Sequence, residues 1–217
     1  MLISLLKHGK KVLITIDEVV NNSAIKVFAH SFQMLVRKDL PIFLLMTGLY
    51  ENIYNLQNEK SLTFLYRAPK IKMNLLNTMR ISENYQATLN VAPETALKMA
   101  KITKGYSYAF QVLGFLVWKK QGYHDSIMPE YLQYLEEYVY EKLWSELSMK
   151  DKELLFALAR SETGKVQDIQ NILGIQHNQF TPYQKRLLQK GIIESKTHGY
   201  IDFALPMFRA YVEENSR

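Results

Sequence analysis

The chain has 217 residues, 47% of them hydrophobic and 12% aromatic, with a formal net charge of +6 and no cysteine. That is enough apolar material for one large core or two small ones, and it excludes disulfide staples and thiolate metal sites. The five histidines form no pair at metal-ligand spacing, so no zinc site is expected.

Charge is unevenly spread. Residues 1–120 hold 16 Lys/Arg against 7 Asp/Glu, residues 121–147 hold 1 against 6, and residues 148–217 hold 10 against 8. A switch of this kind marks a candidate boundary, placed here near Glu146 to Met149. The longest nearly apolar run, Tyr108 to Trp118, is interrupted by Gln111 and is shorter than the roughly 18 residues a spanning helix needs. The first residues carry their charges after the apolar ones, unlike a secretory signal. A cytoplasmic protein with no membrane partner is expected.

In chain order, "KVLITID" (Lys11 to Asp17) reads as a continuous apolar strand of the kind buried on both faces, followed by a helix over Ser23 to Lys38. "LPIFLLMTG" (Leu40 to Gly48) reads as a second strand and "KIKMNLL" (Lys70 to Leu76) as a third. Strand, helix, strand, helix, strand implies a parallel sheet. From about Met79 the chain turns helical: Pro93 to Ile102, Tyr106 to Lys120, then an acidic helix from Pro129 to Leu147. The tail offers helices at Ser148 to Arg160, Lys165 to Ile175 and Gln179 to Gly191, then a hairpin over Ile192 to Ala204 turning at His198-Gly199. Three helices and a hairpin make a winged helix-turn-helix. The expected fold class is therefore α/β, a partial parallel-sheet core over residues 1–77, a helical section over 78–147 and a winged helix over 148–217.

The adjacent acids Asp17 and Glu18 stand at the carboxyl end of the first strand, where ligands sit in open α/β sheets. The alternative is structural: the first acid at such a strand end often caps the next helix.

An apolar strand ending in Asp-Glu, one helix before an apolar strand ending in Thr47, resembles the Walker B and sensor 1 arrangement of AAA+ and related STAND ATPases, specifically the archaeal-ATPase-like and origin-recognition-like group. The stretch "TGLYENIYNLQNEKSLTFLYRAPKIKMNLL" is similar to the segment following sensor 1 there, and "KGYSYAFQVLG" to the helical lid, with Ser107 where a Pro is usual. The resemblance implies that Asp17 holds the magnesium of bound ATP and that Glu18 orients or deprotonates the attacking water. It implies that Thr47 completes the catalytic set, that Arg67 faces a nucleotide phosphate, and that Tyr106 and Ser107 lie against the nucleotide.

No G-x-x-x-x-G-K-[ST] run occurs anywhere in the chain. Without it no backbone amides cradle the phosphates and no lysine reaches them. The expectation is a carboxyl-terminal part of a longer ATPase, or the product of a truncated reading frame, unable to hydrolyse ATP alone. "MLISLLKHGKK" would be the helix entering the first strand. In the winged helix, Gln184, Lys185, Arg186 and Lys190, with Lys196 and His198 in the wing, are the candidate duplex-DNA contacts. A partner protein is the other candidate occupant of that surface, and homo-oligomerisation is compatible with the group. The alternative function is a non-catalytic DNA-binding or protein-binding module on a degenerate ATPase scaffold.

Overall fold

The computed structural model describes residues 8–216, apart from the side chains of Tyr50 and Glu51. The expected entry helix over residues 1–11 falls largely outside them. The chain forms two compact units, Met1–Lys72 and Met73–Arg217. It is mostly helical, with a small parallel two-stranded sheet and a small antiparallel hairpin near the carboxyl end.

In the first unit, β1 (Val12–Ile16) pairs in parallel with β2 (Ile42–Met46), in register from Val12↔Ile42 to Ile16↔Met46. Parallel strands need a crossover, and α1 (Ser23–Val36) supplies it. Asn22 starts that helix by accepting the Ile25 N–H at 2.9 Å. The inner side chains Ile16 and Met46 pack with Val19, Ala29, Leu56, Leu62 and Leu65, the last three brought by α2 (Tyr50–Gln57), a 3₁₀ turn (Lys60–Leu62) and α3 (Thr63–Tyr66).

The strands are not covered on both faces: Leu13 is 62% exposed, and its neighbours across the ladder, Phe43 and Leu45, are exposed with it. The third strand does not form. Residues 70–77 run without regular structure and Met73 is 88% exposed. Apolar alternation makes a strand only where a neighbouring strand accepts its backbone hydrogen bonds, and no described strand lies beside this segment.

The second unit begins with α4 (Thr78–Leu89), α5 (Pro93–Ile102) and α6 (Ser107–Lys119). Asn77 caps α4 through the N–H groups of Met79 and Arg80, and Asn90 ends it in the left-handed conformation. The expected acidic helix forms as one continuous helical run with a π turn inside it: α7 (Met128–Leu135) passes through a π-helical turn (Glu136–Tyr140) into α8 (Glu141–Ser145). Next come α9 (Met149–Arg160), α10 (Val166–Leu173), α11 (His177–Gln189), β3 (Ile193–Glu194), β4 (Asp202–Phe203) and α12 (Phe208–Glu214). The hairpin turns at Thr197–Tyr200 as expected, but its strands are only two residues long. Pro182 lies inside α11 because that helix starts at His177, earlier than expected. The helix α12 is not among the elements expected from the sequence.

One apolar core runs through this unit from Ile81 to Val212, across the charge switch. Its centre is aromatic: Tyr140 meets Phe208 edge-on at 4.8 Å, Trp144 meets Phe156 at 5.5 Å, and the Tyr140 hydroxyl donates to the Pro206 carbonyl. Gly164 lets the α9–α10 loop lie on the hairpin. A Cβ there would sit 2.4 Å from the Ile201 carbonyl oxygen, at a φ of +68°. Among the described residues no helix is long and apolar enough to cross a membrane.

Ser148 and Asp151 form a capping box at the start of α9, and the buried Asp151 carboxylate also takes two hydrogen bonds from Arg186 of α11, at 2.6 and 3.0 Å. Asp151→Ala removes the return half of the capping box and strands a half-buried guanidinium, so a loss of about 3 kcal/mol is expected in urea unfolding. Burial also holds the phenols of Tyr85, Tyr131 and Tyr140 well above their ordinary pKa. They stay neutral when folded and ionise near the ordinary value of about 10 when unfolded, so stability is retained below that pH and falls as pH rises above it. Tyrosinate absorbance should show these three ionising only together with alkaline unfolding.

Candidate functional site

The parallel register that pairs Ile16 with Met46 brings the next residues of both strands side by side. Asp17 and Thr47 meet there, and the Thr47 hydroxyl donates to Asp17 Oδ1. The same oxygen accepts the Glu18 N–H at 3.0 Å. No described residue bonds the other carboxylate oxygen, and Asp17 and Glu18 are both exposed.

The backbone around the pair is held on both sides by Thr47. Its N–H donates to the Ile16 carbonyl at 2.9 Å, and its carbonyl accepts the Val19 N–H at 2.8 Å. The buried Val19 anchors the chain directly after the acids. Gly48 permits this close return, since a Cβ there would lie 3.0 Å from the Val19 carbonyl oxygen. Glu18 itself has a φ of +51°, an uncommon conformation for a non-glycine residue. That turn ends the strand at the acids.

The helix-capping alternative does not describe this geometry. The cap of α1 is Asn22, and the Asp17 carboxylate bonds Glu18 and Thr47 instead.

The other expected site residues lie apart from this pair or in the second unit. Arg67 ends α3 at an exposed position and lines a concavity of about 270 Å³ with Gln57, Asn58, Glu59, Lys60, Thr63 and Tyr66; none of Asp17, Glu18 or Thr47 lines it. Tyr106 precedes α6, half-buried, with its phenol pushed up by burial, and Ser107 is exposed at the helix start. The turn before them holds Lys104 and Gly105, both at positive φ. Gly105 packs on the Leu76 backbone and its carbonyl accepts the Leu76 N–H at 2.8 Å. Lys104 reaches the hairpin, donating to the Phe203 carbonyl at 2.7 Å and pairing with Asp202 at 3.7 Å. No sequence signal distinguishes Lys104 from the other basic residues, because its partner is 99 positions away.

The candidate DNA-contact residues divide. Arg186 is engaged inside the unit by Asp151 and by the Ser148 hydroxyl at 3.0 Å, and Lys196 pairs with Glu194 at 2.7 Å. Lys185 and His198 are exposed, whereas Gln184 and Lys190 are partly buried. The concavity beside the hairpin mixes Glu162, Glu194 and Asp202 with Lys196 and Arg209, so it carries both signs of charge.

Residues 137–212 match a family model described as a domain of unknown function, DUF8462. No curated protein matches the chain. Among solved structures, the Walker-type ATPase PABY2304 of Pyrococcus abyssi superposes with a TM-score of 0.66 at 13% identity, over 98% of this chain and 66% of that one. The likeness is one of ATPase-type fold, and the present chain spans just under two thirds of that protein's length.

If Thr47 is what holds the Asp17 carboxylate, Thr47→Val should lower the stability of the first unit by about 1 kcal/mol, while Thr47→Ser stays near the parent. Urea unfolding followed by hydrogen exchange at Val19 and Thr47 reads both outcomes.

Proposed function

We propose that the chain is the carboxyl-terminal part of an ATP-binding, ATP-hydrolysing switch protein of the AAA+/STAND type, whose phosphate loop lies outside these 217 residues. The observation that carries this reading is the Asp17–Thr47 hydrogen bond at the carboxyl ends of two adjacent parallel strands. The ATPase-type fold supports it, as does the open apolar face of the sheet around Leu13 and Phe43, which further core elements of a longer protein would cover.

The residues fit a magnesium site. A hard cation that takes one or two carboxylates beside substrate phosphates is served by Asp17, whose second carboxylate oxygen bonds no described residue. When bound, the ion would neutralise phosphate charge during transfer to water. The chain's own residues do the rest in this reading. Thr47 orients Asp17, and Glu18, set on the left-handed turn, orients the water and accepts its proton. In this reading residues 1–77 correspond to the partial core, 78–147 to the lid, which carries Tyr106 and Ser107, and 148–217 to a winged helix that reports nucleotide state. Arg67 serves a phosphate of its own or of a neighbouring protomer.

The second reading is a non-catalytic winged-helix module, favoured by the exposed Lys185 and His198. The engagement of Arg186 by Asp151 removes one of its contacts and weights that reading toward a protein partner rather than duplex DNA.

The test is magnesium-dependent ATP binding by calorimetry on this chain and on the protein extended by its natural upstream sequence. Binding by the extended protein alone is the expected result. In that protein Glu18→Gln should keep ATP and lose turnover by about 100-fold or more, and Asp17→Ala should weaken magnesium-dependent binding. Unchanged turnover in Glu18→Gln would overturn the assignment.

A further inference from the structure

The face formed by α6, α7 and the π-helical turn has no role in the ATPase reading, yet its chemistry is concentrated. Three tyrosines cluster across it: Tyr134 and Tyr138 stack at 5.9 Å with ring planes 19° apart, and Tyr108 meets Tyr138 at 6.4 Å, tilted by 43°. Tyr138 is 64% exposed, far more than a ring kept for packing requires. Such rings are good anchors at interfaces, since each offers a large flat area at small conformational cost.

The π-helical turn arranges acids beside this stack. In a π-helix residues five apart bond to one another, and the Glu141 N–H donates to the Glu136 carbonyl, placing these two glutamates one above the other. Glu137 stands four residues before Glu141, and α12, which ends at Glu214, packs on the same turn. Among the described residues no Lys, Arg or His comes within ion-pair distance of Glu136, Glu137, Glu141 or Glu214. Gln133 donates to Glu137 at 2.9 Å, which leaves the charge uncancelled. The mutual repulsion is felt at Glu136, whose carboxyl is raised by burial and then by Glu214, Glu141 and Glu137. By contrast, Glu130 and Asp125, elsewhere in the acidic stretch, are each paired with lysine.

Carboxylates with no ion-pair partner among the described residues, beside the exposed ring of Tyr138, are complementary to one chemistry. Cations gain from both the carboxylates and the ring quadrupoles, whereas a nucleic-acid backbone or an anionic lipid is repelled. We propose that this face, centred on Tyr138 with Glu137 and Glu141, is a docking surface for a lysine- or arginine-rich segment of a partner protein. The inference is independent of the ATPase reading.

Labelled octa-arginine, titrated by fluorescence anisotropy into the intact 217-residue chain, is a direct probe. The chain should bind octa-arginine and not octa-glutamate. Glu137→Gln with Glu141→Gln should weaken binding about tenfold. Tyr138→Ser should weaken it about fivefold and Tyr138→Phe less than twofold, because the ring face rather than the hydroxyl makes the contact. All three positions are exposed, so the variants should fold and melt as the parent does. Octa-arginine binding indifferent to Tyr138→Ser would reduce the effect to diffuse electrostatics and overturn the proposal. So would self-association of the chain that is abolished by Tyr138→Ser without any peptide binding, which would make a second copy the occupant.

Discussion

Parallel pairing of β1 with β2 is the constraint on which the first unit and its candidate site depend. Parallel strands cannot be joined by a tight turn, so α1 must cross over between them, and both strands then end on the same side. Because Ile16 faces Met46 in the ladder, the residues that follow are forced together, and they are an acid and a hydroxyl. A shift of one residue in register would separate Asp17 from Thr47 and turn either Ile16 or Met46 away from the core they share with Val19 and Leu56. Apolar packing therefore sets the geometry of the polar pair.

The second unit is organised by a different interaction, the aromatic centre around Tyr140, Trp144, Phe208 and Tyr211. It joins helices distant in sequence and makes residues on both sides of the charge switch share one core. Around that core, polar ties connect separate elements: Arg186 of α11 to Asp151 of α9, Lys104 before α6 to the hairpin, and Arg209 of α12 to the carbonyl ends of α9 at 2.7 Å. Each uses a basic residue for internal cohesion. Part of the chain's basic complement is thus structural, and its net charge is a poor guide to nucleic-acid binding.

The π-helical turn illustrates how packing and surface chemistry are coupled. Its wider hydrogen-bonding span lets Leu135 and Tyr140, five positions apart, both reach the core, while Glu137 and Tyr138 between them stay outside. The exposed acidic, aromatic face follows from burying those two.

The sequence by itself determined what depends on near neighbours. The apolar runs of β1 and β2, the Ser148 capping box, the left-handed Gly174 after α10 and the turn at Gly199 are short-range effects, legible from a few adjacent residues. The acid pair at a strand end and Thr47 at the next were legible for the same reason. Only tertiary structure decided whether Lys70 to Leu76 finds a strand to pair with, which basic side chains are already engaged, and whether Asp17 bonds Thr47 rather than capping α1. Those outcomes rest on partners tens of residues away, such as the 35 positions separating Arg186 from Asp151, and a local pattern carries no information about contacts at that distance.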